Sequence, residues 1–361
     1  MLKNLQRLHA HLDPLGVKLR VHLKTVKSVD AARRLLPAEG GGSATVSTLK
    51  EAEVFADAGV RDIIYAVGIT AKKLPRVATV RANGCDLAVI LDSVEQAGAV
   101  CAASRATGDA IPALIEIDSD GHRAGLRPED PEIVVIGRTL VEGGAELRGV
   151  LTHAGDSYNA RGTAALEAFA ERERLAAVTA AEQLRAAGLP CPVVSVGSTP
   201  TAHFARGLPG VTEVRAGVFA FFDLVMAGLG VCTTEDIAIS VLASVIGHQR
   251  ERGWIIVDAG WMALSRDRGT AAQEVDQGYG LVCDLSGRVM HDLIVSAANQ
   301  EHGIISVRPG SSARLPDLSV GTELRILPNH ACATAAQFDA YEVLPADGGD
   351  NLQRWPIFRG W

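Results

Sequence analysis

The chain has 361 residues, 47% hydrophobic and 21% charged, enough apolar material for two domains with cores of their own. A formal net charge of −7, with basic pairs such as Arg33-Arg34 and Lys72-Lys73 standing isolated, argues against a nucleic-acid partner. Residues 1–20 lack the apolar centre of a secretion signal, every long apolar run is broken by charge or glycine, and the six cysteines contain no CxxC pair; a cytoplasmic, non-membrane protein with reduced thiols is expected.

Up to about residue 225 one phrase recurs: a short β-branched run, a turn, then an Ala-rich amphipathic stretch. Eight such runs occupy 18–24, 43–47, 62–67, 86–91, 113–118, 147–152, 192–196 and 213–218. Helical patterns lie between them over 47–58, 93–106, 131–140 and 164–187, the last with Leu, Ala and Val on one stripe and Glu and Arg outside. Strands alternating with helices pair in parallel through right-handed crossovers, and eight units close a (β/α)8 barrel with its chemistry at the carboxyl ends of the strands.

In the first run, alternation puts Val17, Leu19, Val21 and Leu23 on one face and Lys18, Arg20, His22 and Lys24 on the other. A lysine in a barrel mouth, partly desolvated and beside the cations Arg20 and Lys27, is expected to offer a neutral amine for a Schiff base with an aldehyde cofactor. A solvated strand-end lysine is the plain alternative. The fifth run ends in Glu116-Ile117-Asp118-Ser119-Asp120-Gly121-His122-Arg123 and the sixth in Thr152-His153-Ala154-Gly155. Arg123 suits an anionic phenolate oxygen and His153 an aromatic cofactor ring, or they are loop surface and a hydrogen-bonded barrel histidine. After the seventh run, Ser195-Val196-Gly197-Ser198-Thr199-Pro200-Thr201 brings hydroxyls and N–H groups together at a glycine, and Gly217 follows the eighth; barrels commonly hold a phosphate at these two places.

After about Cys232 the rhythm becomes strand, turn, strand, with runs over 237–248, 254–258, 279–284, 303–307 and 323–327. The expected division is a barrel over 1–232 and a mainly β domain over 233–361. In the second, His330 and Cys332 lie two apart, on one side of an extended segment, and an imidazole with a thiolate is a half-shell for a divalent metal unless the pair is structural. The stretches Trp261–Asp267 and Asn299–Gly303 are polar turns, substrate contacts or surface.

These motifs resemble the fold-type III pyridoxal-phosphate enzymes, alanine racemase-like barrels, in the branch of the D-serine dehydratases, D-threonine aldolases and D-threo-3-hydroxyaspartate dehydratases. Arg20-Val21-His22-Leu23-Lys24-Thr25 is similar to the branch's Arg-Pro-His-x-Lys-Thr segment, whose lysine carries the cofactor. The resemblance implies that Arg123 faces the phenolic oxygen, His153 the ring, Ser195 the pyridine nitrogen, and Gly197, Ser198, Thr199 and Gly217 the phosphate. It also makes His330 and Cys332 the metal pair of the dehydratases, where the aldolases have Asp in place of Cys332. Val46–Glu53, Asp258–Ala263 and Asn299–Gly303 extend the likeness toward the hydroxyaspartate dehydratases.

Two departures stand out: Val21 replaces the family's proline, and the family's opening β-domain strand is missing from a chain that begins inside the first helix. Either the start is truncated or the β domain lacks a strand, which would expose an unpaired sheet edge. What the resemblance implies for activity is dehydration of a D-3-hydroxy amino acid by pyridoxal phosphate and a divalent metal: hydroxyaspartate to oxaloacetate and ammonia, or D-serine to pyruvate and ammonia. Zinc suits the thiolate, with magnesium or manganese as alternatives. Retro-aldol cleavage of D-threonine is the rival reaction, and a non-catalytic cofactor-binding barrel the rival class. A homodimer is implied, and Arg266 and His302 are candidates to read a second substrate carboxylate.

Overall fold

The first part of the chain forms β1 (Lys18–His22), β2 (Ser43–Val46), β3 (Asp62–Gly68), β4 (Asp86–Leu91), β5 (Pro112–Ile117), β6 (Glu146–Thr152), β7 (Val193–Val196) and β8 (Glu213–Ala216). In this computed structural model, which describes residues 1–37, 42–121, 123–345 and 351–361, the eight pair in parallel in sequence order, and β8 returns to β1 with Arg20 opposite Arg215, so the barrel closes. The helices are α1 (Leu2–Leu12), α2 (Val29–Leu35), α3 (Leu49–Asp57), α4 (Leu74–Ala82), α5 (Val94–Thr107), α6 (Glu132–Glu142), α7 (Thr163–Ala186) and α8 (Thr199–Phe204). Their starts are written locally: the Thr48 and Ser93 hydroxyls accept from the Glu51 and Gln96 N–H groups at the heads of α3 and α5.

Alternation along the strands sorts the barrel interior into two halves. Ile64, Ala88, Ile90, Leu114 and Leu151 make an apolar cluster on β3 to β6. On β1, β7 and β8 alternate buried positions are polar instead, held by Arg20, Ser195, Glu213 and Arg215. Buried ions persist only where they are paired. Glu213 accepts from Arg20 Nε (2.8 Å) and from the Ser195 hydroxyl (2.6 Å). Arg20 also forks onto Asp62 (2.8 and 2.9 Å). Arg215 donates to Ser195 Oγ (2.6 Å) and to the Thr152 carbonyl.

The second unit runs from Ala220 to Ile357, while the last four residues, from Phe358, belong with the barrel unit. In it, β9 (Val241–Gln249), β10 (Trp254–Val257), β11 (Gly280–Cys283), β12 (Val289–Ala298), β13 (Gly303–Val307) and β14 (Glu323–Pro328) form a closed antiparallel barrel, and β15 (Ala340–Val343) pairs with β16 (Gln353–Pro356). Its core repeats every second residue: Val241, Ala243 and Val245; Ile255 and Val257; Leu293 and Val295; Leu324 and Ile326. Because β9 pairs with both β10 and β14, the six-stranded sheet has no open edge, contrary to the exposed edge expected of a sheet missing one strand. The unexpected β12 carries a register shift and a positive φ of 55° at Asp292, which interrupt the alternation by which a strand is recognised. Short helices α9 (Leu224–Gly228), α10 (Trp261–Leu264) and α11 (Ala331–Ala335) interleave with these strands. None of the six cysteines is in a disulfide, and among the described residues no helix is long and apolar enough to cross a membrane.

Close strand approach makes one glycine testable. Gly149 in β6 has φ +150°, and a Cβ there would collide with the Val193 carbonyl of β7. Gly149→Ala is expected to destabilise the protein by about 2–4 kcal/mol, read as a lower urea midpoint; an unchanged midpoint would show that β6 and β7 can separate without penalty.

Candidate active site

Lys24 lies just beyond β1 rather than in it. The strand stops at His22, and Leu23–Thr25 turn as a single 3-10 element closed by the Val26 N–H on the Leu23 carbonyl (3.1 Å). Fully buried Leu23 and Thr25 anchor the turn on either side of the half-buried Lys24. The two cations expected beside it are committed elsewhere: Arg20 to Glu213 and Asp62, and Lys27 to Glu51. The positive charge at these strand ends comes from Lys24, Arg123 and Arg215. Added to burial, it holds His22 well below the usual imidazole range and His153 down to about 3. His153 Nδ1 is 2.9 Å from the Gly197 carbonyl, which only accepts, so Nδ1 carries the ring's proton and Nε2 keeps its lone pair.

Ser195 is fully buried between an acceptor and a donor. Its one proton goes to Glu213 and its oxygen accepts from Arg215, so any further group it meets must bring a proton of its own. Burial lowers Arg215 to about 10 despite Glu213, Glu173 and Glu116. Arg123 sits in the loop after β5, half exposed, with Nη2 3.7 Å from the buried Glu116 carboxylate. Its neighbour His122 lies outside the described residues.

In the loop after β7, Gly197 takes φ +143°, where an added Cβ would strike the Arg215 carbonyl; at Gly217 it would lie 2.7 Å from the His22 carbonyl and 3.0 Å from Thr25 Oγ1. Both glycines therefore serve close approach of backbone to backbone. The Gly197 N–H donates to Glu173 (2.8 Å) and the Ser198 N–H to Thr201 Oγ1 (3.1 Å), so neither is left for a phosphate. Thr199 Oγ1 is buried with no hydrogen-bond partner, an orphan that a phosphate oxygen would satisfy. A lysine beyond β1, an orphaned hydroxyl after β7 and glycines at both loops fit a phosphorylated aldehyde.

The metal-ligand candidates are in the other unit. His330 is the extended residue before α11 and Cys332 falls in that helix, so the segment is not extended as expected; the turn, not strand alternation, brings the side chains into hydrogen-bond contact. His330 Nδ1 meets Asp267 Oδ2 at 2.6 Å, leaving Nε2 as its donor to a ligand. Burial works against the charged ring, but hydrogen bonds to Asp267 and Cys332 outweigh it and push His330 up to about 11. Among the described residues no group of three or more His, Cys, Asp and Glu is placed so as to hold a metal ion; the pair offers one nitrogen and one sulfur, a borderline-soft set. Behind it, buried Asp223 accepts from the Met226 N–H (3.0 Å) and the Ala331 N–H (2.9 Å), tying α9 to α11.

Sequence reasoning missed Asp223, Glu173 and Glu213, and it placed Asp267 in a polar turn without its partner His330. For Glu213 the signal was available, because it shares the inward parity of Arg215 on β8. Ser265, at φ 71° and ψ 162° in a region otherwise kept by glycine, shapes the turn into Asp267, whose N–H it accepts (3.0 Å). Arg266 lies 4.3 Å over the Trp261 ring, and Arg266 and His302 are both exposed.

Comparison with known proteins agrees with this architecture. Residues 1–225 match the alanine racemase N-terminal domain model and residues 238–344 a putative serine dehydratase domain. The D-threo-3-hydroxyaspartate dehydratase of Delftia sp. (strain HT23) is 57% identical over 100% of this chain and 95% of its own length. Its solved structure superposes with a TM-score of 0.95 at 56% identity, covering 100% of this chain and 95% of that one. Further structures of that enzyme are of a histidine-to-alanine variant and of a cysteine-to-alanine variant in the metal-free form, the two positions lying two apart. The D-serine dehydratase of Dictyostelium discoideum is 28% identical over 95% of this chain and 90% of its own. A D-threonine aldolase from Filomicrobium marinum matches with a TM-score of 0.83 at 25% identity, over 99% of this chain and 91% of that one. Both the extent of these matches and the fold place the chain in one group: it belongs to the alanine racemase N-terminal domain family, in the branch that joins this barrel to a serine dehydratase domain.

Proposed function

We propose that the chain is a pyridoxal-phosphate- and divalent-metal-dependent dehydratase of D-3-hydroxy amino acids. Its preferred substrate is D-threo-3-hydroxyaspartate, giving oxaloacetate and ammonia, with D-serine, giving pyruvate and ammonia, as the alternative. The observation that carries this reading is the likeness to the Delftia dehydratase over the whole chain at 57% identity, against 25% for the aldolase. The family is pyridoxal-phosphate dependent, and the metal-free form of the relative's cysteine variant implies a metal in that enzyme.

Bound here, the cofactor ring would take up the electron pair left at Cα and the metal would polarise the β-hydroxyl as a leaving group. Lys24 Nζ is the amine for the aldehyde and the base for the Cα proton. Ser195 Oγ, its own proton committed to Glu213, presents a lone pair and so favours a protonated ring nitrogen. His153 packs on the ring as an uncharged imidazole. Arg123 offers its guanidinium to an anionic ring oxygen. Thr199 donates to a phosphate oxygen, and Gly197 and Gly217 keep the space free of side chains. His330 Nε2 and Cys332 Sγ are the metal donors, with zinc favoured by the thiolate and magnesium or manganese as alternatives. The protein is read as a homodimer in the cytoplasm, the compartment that suits six cysteines without a disulfide; light scattering on the holoenzyme measures the first.

Incubation with D-threo-3-hydroxyaspartate, D-serine and D-threonine, assaying ammonia, oxo acid and glycine together, is the direct test. Ammonia with oxaloacetate, lost in chelator and restored by a divalent metal, is expected; glycine with an aldehyde would move the chain to the aldolases. Lys24→Ala should lower turnover by about 10³-fold, and undiminished turnover would remove the lysine from the chemistry.

A pH dependence follows from His153. Its native ring refuses a proton that the unfolded chain accepts, so stability is lost as pH falls from 6.5 toward about 3. His153→Gln should lose less stability than the parent between pH 7 and pH 5, by about 2 kcal/mol in urea unfolding. Parallel pH profiles would mean that the ring is readily protonated in place.

A further inference from the structure

A charged residue sits on the buried stripe of α7. Glu173 is in step with Leu166, Ala170, Ala177, Ala180 and Leu184, all of them buried, and is itself 2% exposed. The expectation that the glutamates of this helix lie outside fails at this position. Its carboxylate is held by donors from the ends of two strands and from the next helix. Oε1 accepts from the Ala154 N–H after β6 (3.0 Å) and the Gly197 N–H after β7 (2.8 Å), and Oε2 accepts from the Thr201 hydroxyl of α8 (2.7 Å).

The hydrogen bonds around Thr201 then acquire a direction. With its proton on Glu173, Thr201 Oγ1 can only accept, which it does from the Ser198 N–H. Ser198 Oγ accepts from the Thr201 N–H (3.3 Å), its other neighbours are Thr201 Oγ1 (3.0 Å) and Ser157 Oγ (2.9 Å), and Ser157 donates to the Ala154 carbonyl (2.6 Å). Whichever neighbour takes it, the Ser198 proton stays inside the loop. Thr199 Oγ1 is the buried hydroxyl here without a partner. A loop whose buried N–H and O–H groups depended on a bound phosphate would leave them unsatisfied before the phosphate arrived, at a cost of about 1–3 kcal/mol each. An acceptor built into the protein removes that dependence and lowers the ordering cost of binding.

We infer that Glu173 is a positioning residue for the phosphate subsite: an internal hydrogen-bond acceptor that holds the loop after β7 in its binding shape and leaves Thr199, not Ser198, as the side-chain donor to the phosphate. The inference rests on the cofactor assignment made above and adds a residue that touches neither cofactor nor substrate.

The test uses the full-length protein freed of cofactor and two probes that differ only by the phosphate, pyridoxal phosphate and pyridoxal, each titrated by the absorbance of the bound aldehyde. In Glu173→Gln one of the three donors meets an amide N–H₂ in place of an oxygen. Pyridoxal phosphate affinity should fall about tenfold while pyridoxal affinity stays at the parent value. Thr199→Val should show the same one-sided loss and serves alone if Glu173→Gln does not fold. Equal losses for both probes would reduce Glu173 to a structural buried acid, and unchanged affinity for both would remove it from the subsite; either overturns the inference. Failure of the parent protein to bind pyridoxal phosphate at all would instead defeat the cofactor assignment on which it rests.

Discussion

The first unit is organised around one buried carboxylate between two arginines. Glu213 takes Arg20 on one oxygen and Ser195 on the other, Arg20 reaches Asp62, Asp62 holds Ser43, and Ser195 is backed by Arg215, which reaches the Thr152 carbonyl. Removing one partner from such a chain leaves an uncompensated charge in a closed barrel, a change of about 3–5 kcal/mol. The residues lie on β2, β3, β1, β8, β7 and β6, so the network crosses the seam where β8 meets β1 and joins six of the eight strands. A branched-aliphatic interior would have packed as well without the desolvation cost. What the ionic half supplies is direction: it settles which atom of Ser195 bears a proton and which does not.

Backbone geometry adds the complementary restraint. The chain reaches Lys24 through a strand that ends at His22, and Gly217 lets the loop after β8 lie against the His22 carbonyl. Gly197 does the same between the loop after β7 and Arg215. At both positions the missing side chain is what brings the loops into contact, so glycine there is a packing feature whatever else it does. Glu173 ties the loop after β7 to the end of β6 and to α8 through three hydrogen bonds, so the loop's shape is held by the protein itself.

Most of the barrel was legible because its signal is local and repeated: a β-branched run, a turn and an amphipathic helix, eight times. The second unit was less so. Its strands were readable where every second residue is apolar, as in β9 and β14, and not where Asp292 breaks the alternation in β12 or where β15 and β16 form a pair with few buried residues. The candidate residues were chosen by type and by their place after the apolar runs, and the fold sets Lys24, His153, Ser195 and Thr199 at or just beyond the carboxyl ends of β1, β6 and β7. Their hydrogen-bond partners were not legible, because a partner is set by tertiary geometry. Arg20 and Lys27 illustrate the limit. Close in sequence to Lys24, they looked like its cationic neighbours, and in the fold each is paired with carboxylates from other segments.

Two histidines, both flagged from sequence, make the same point in terms of charge. His153 and His330 are the same side chain and both are half-buried, yet the first is driven to about 3 and the second to about 11. Burial lowers both. Around His153 the remaining charges are Arg123, Lys24 and Arg215, which reinforce burial, and the Gly197 carbonyl restores only part of the loss. Around His330 they are Asp267, Cys332 and Asp223, which overcome it. The first ring is therefore suited to lie against an electron-poor aromatic system without adding positive charge. The second has an anionic partner on Nδ1 that fixes its orientation and a sulfur beside it that adds negative charge, so the ring is held cationic where the first is held neutral.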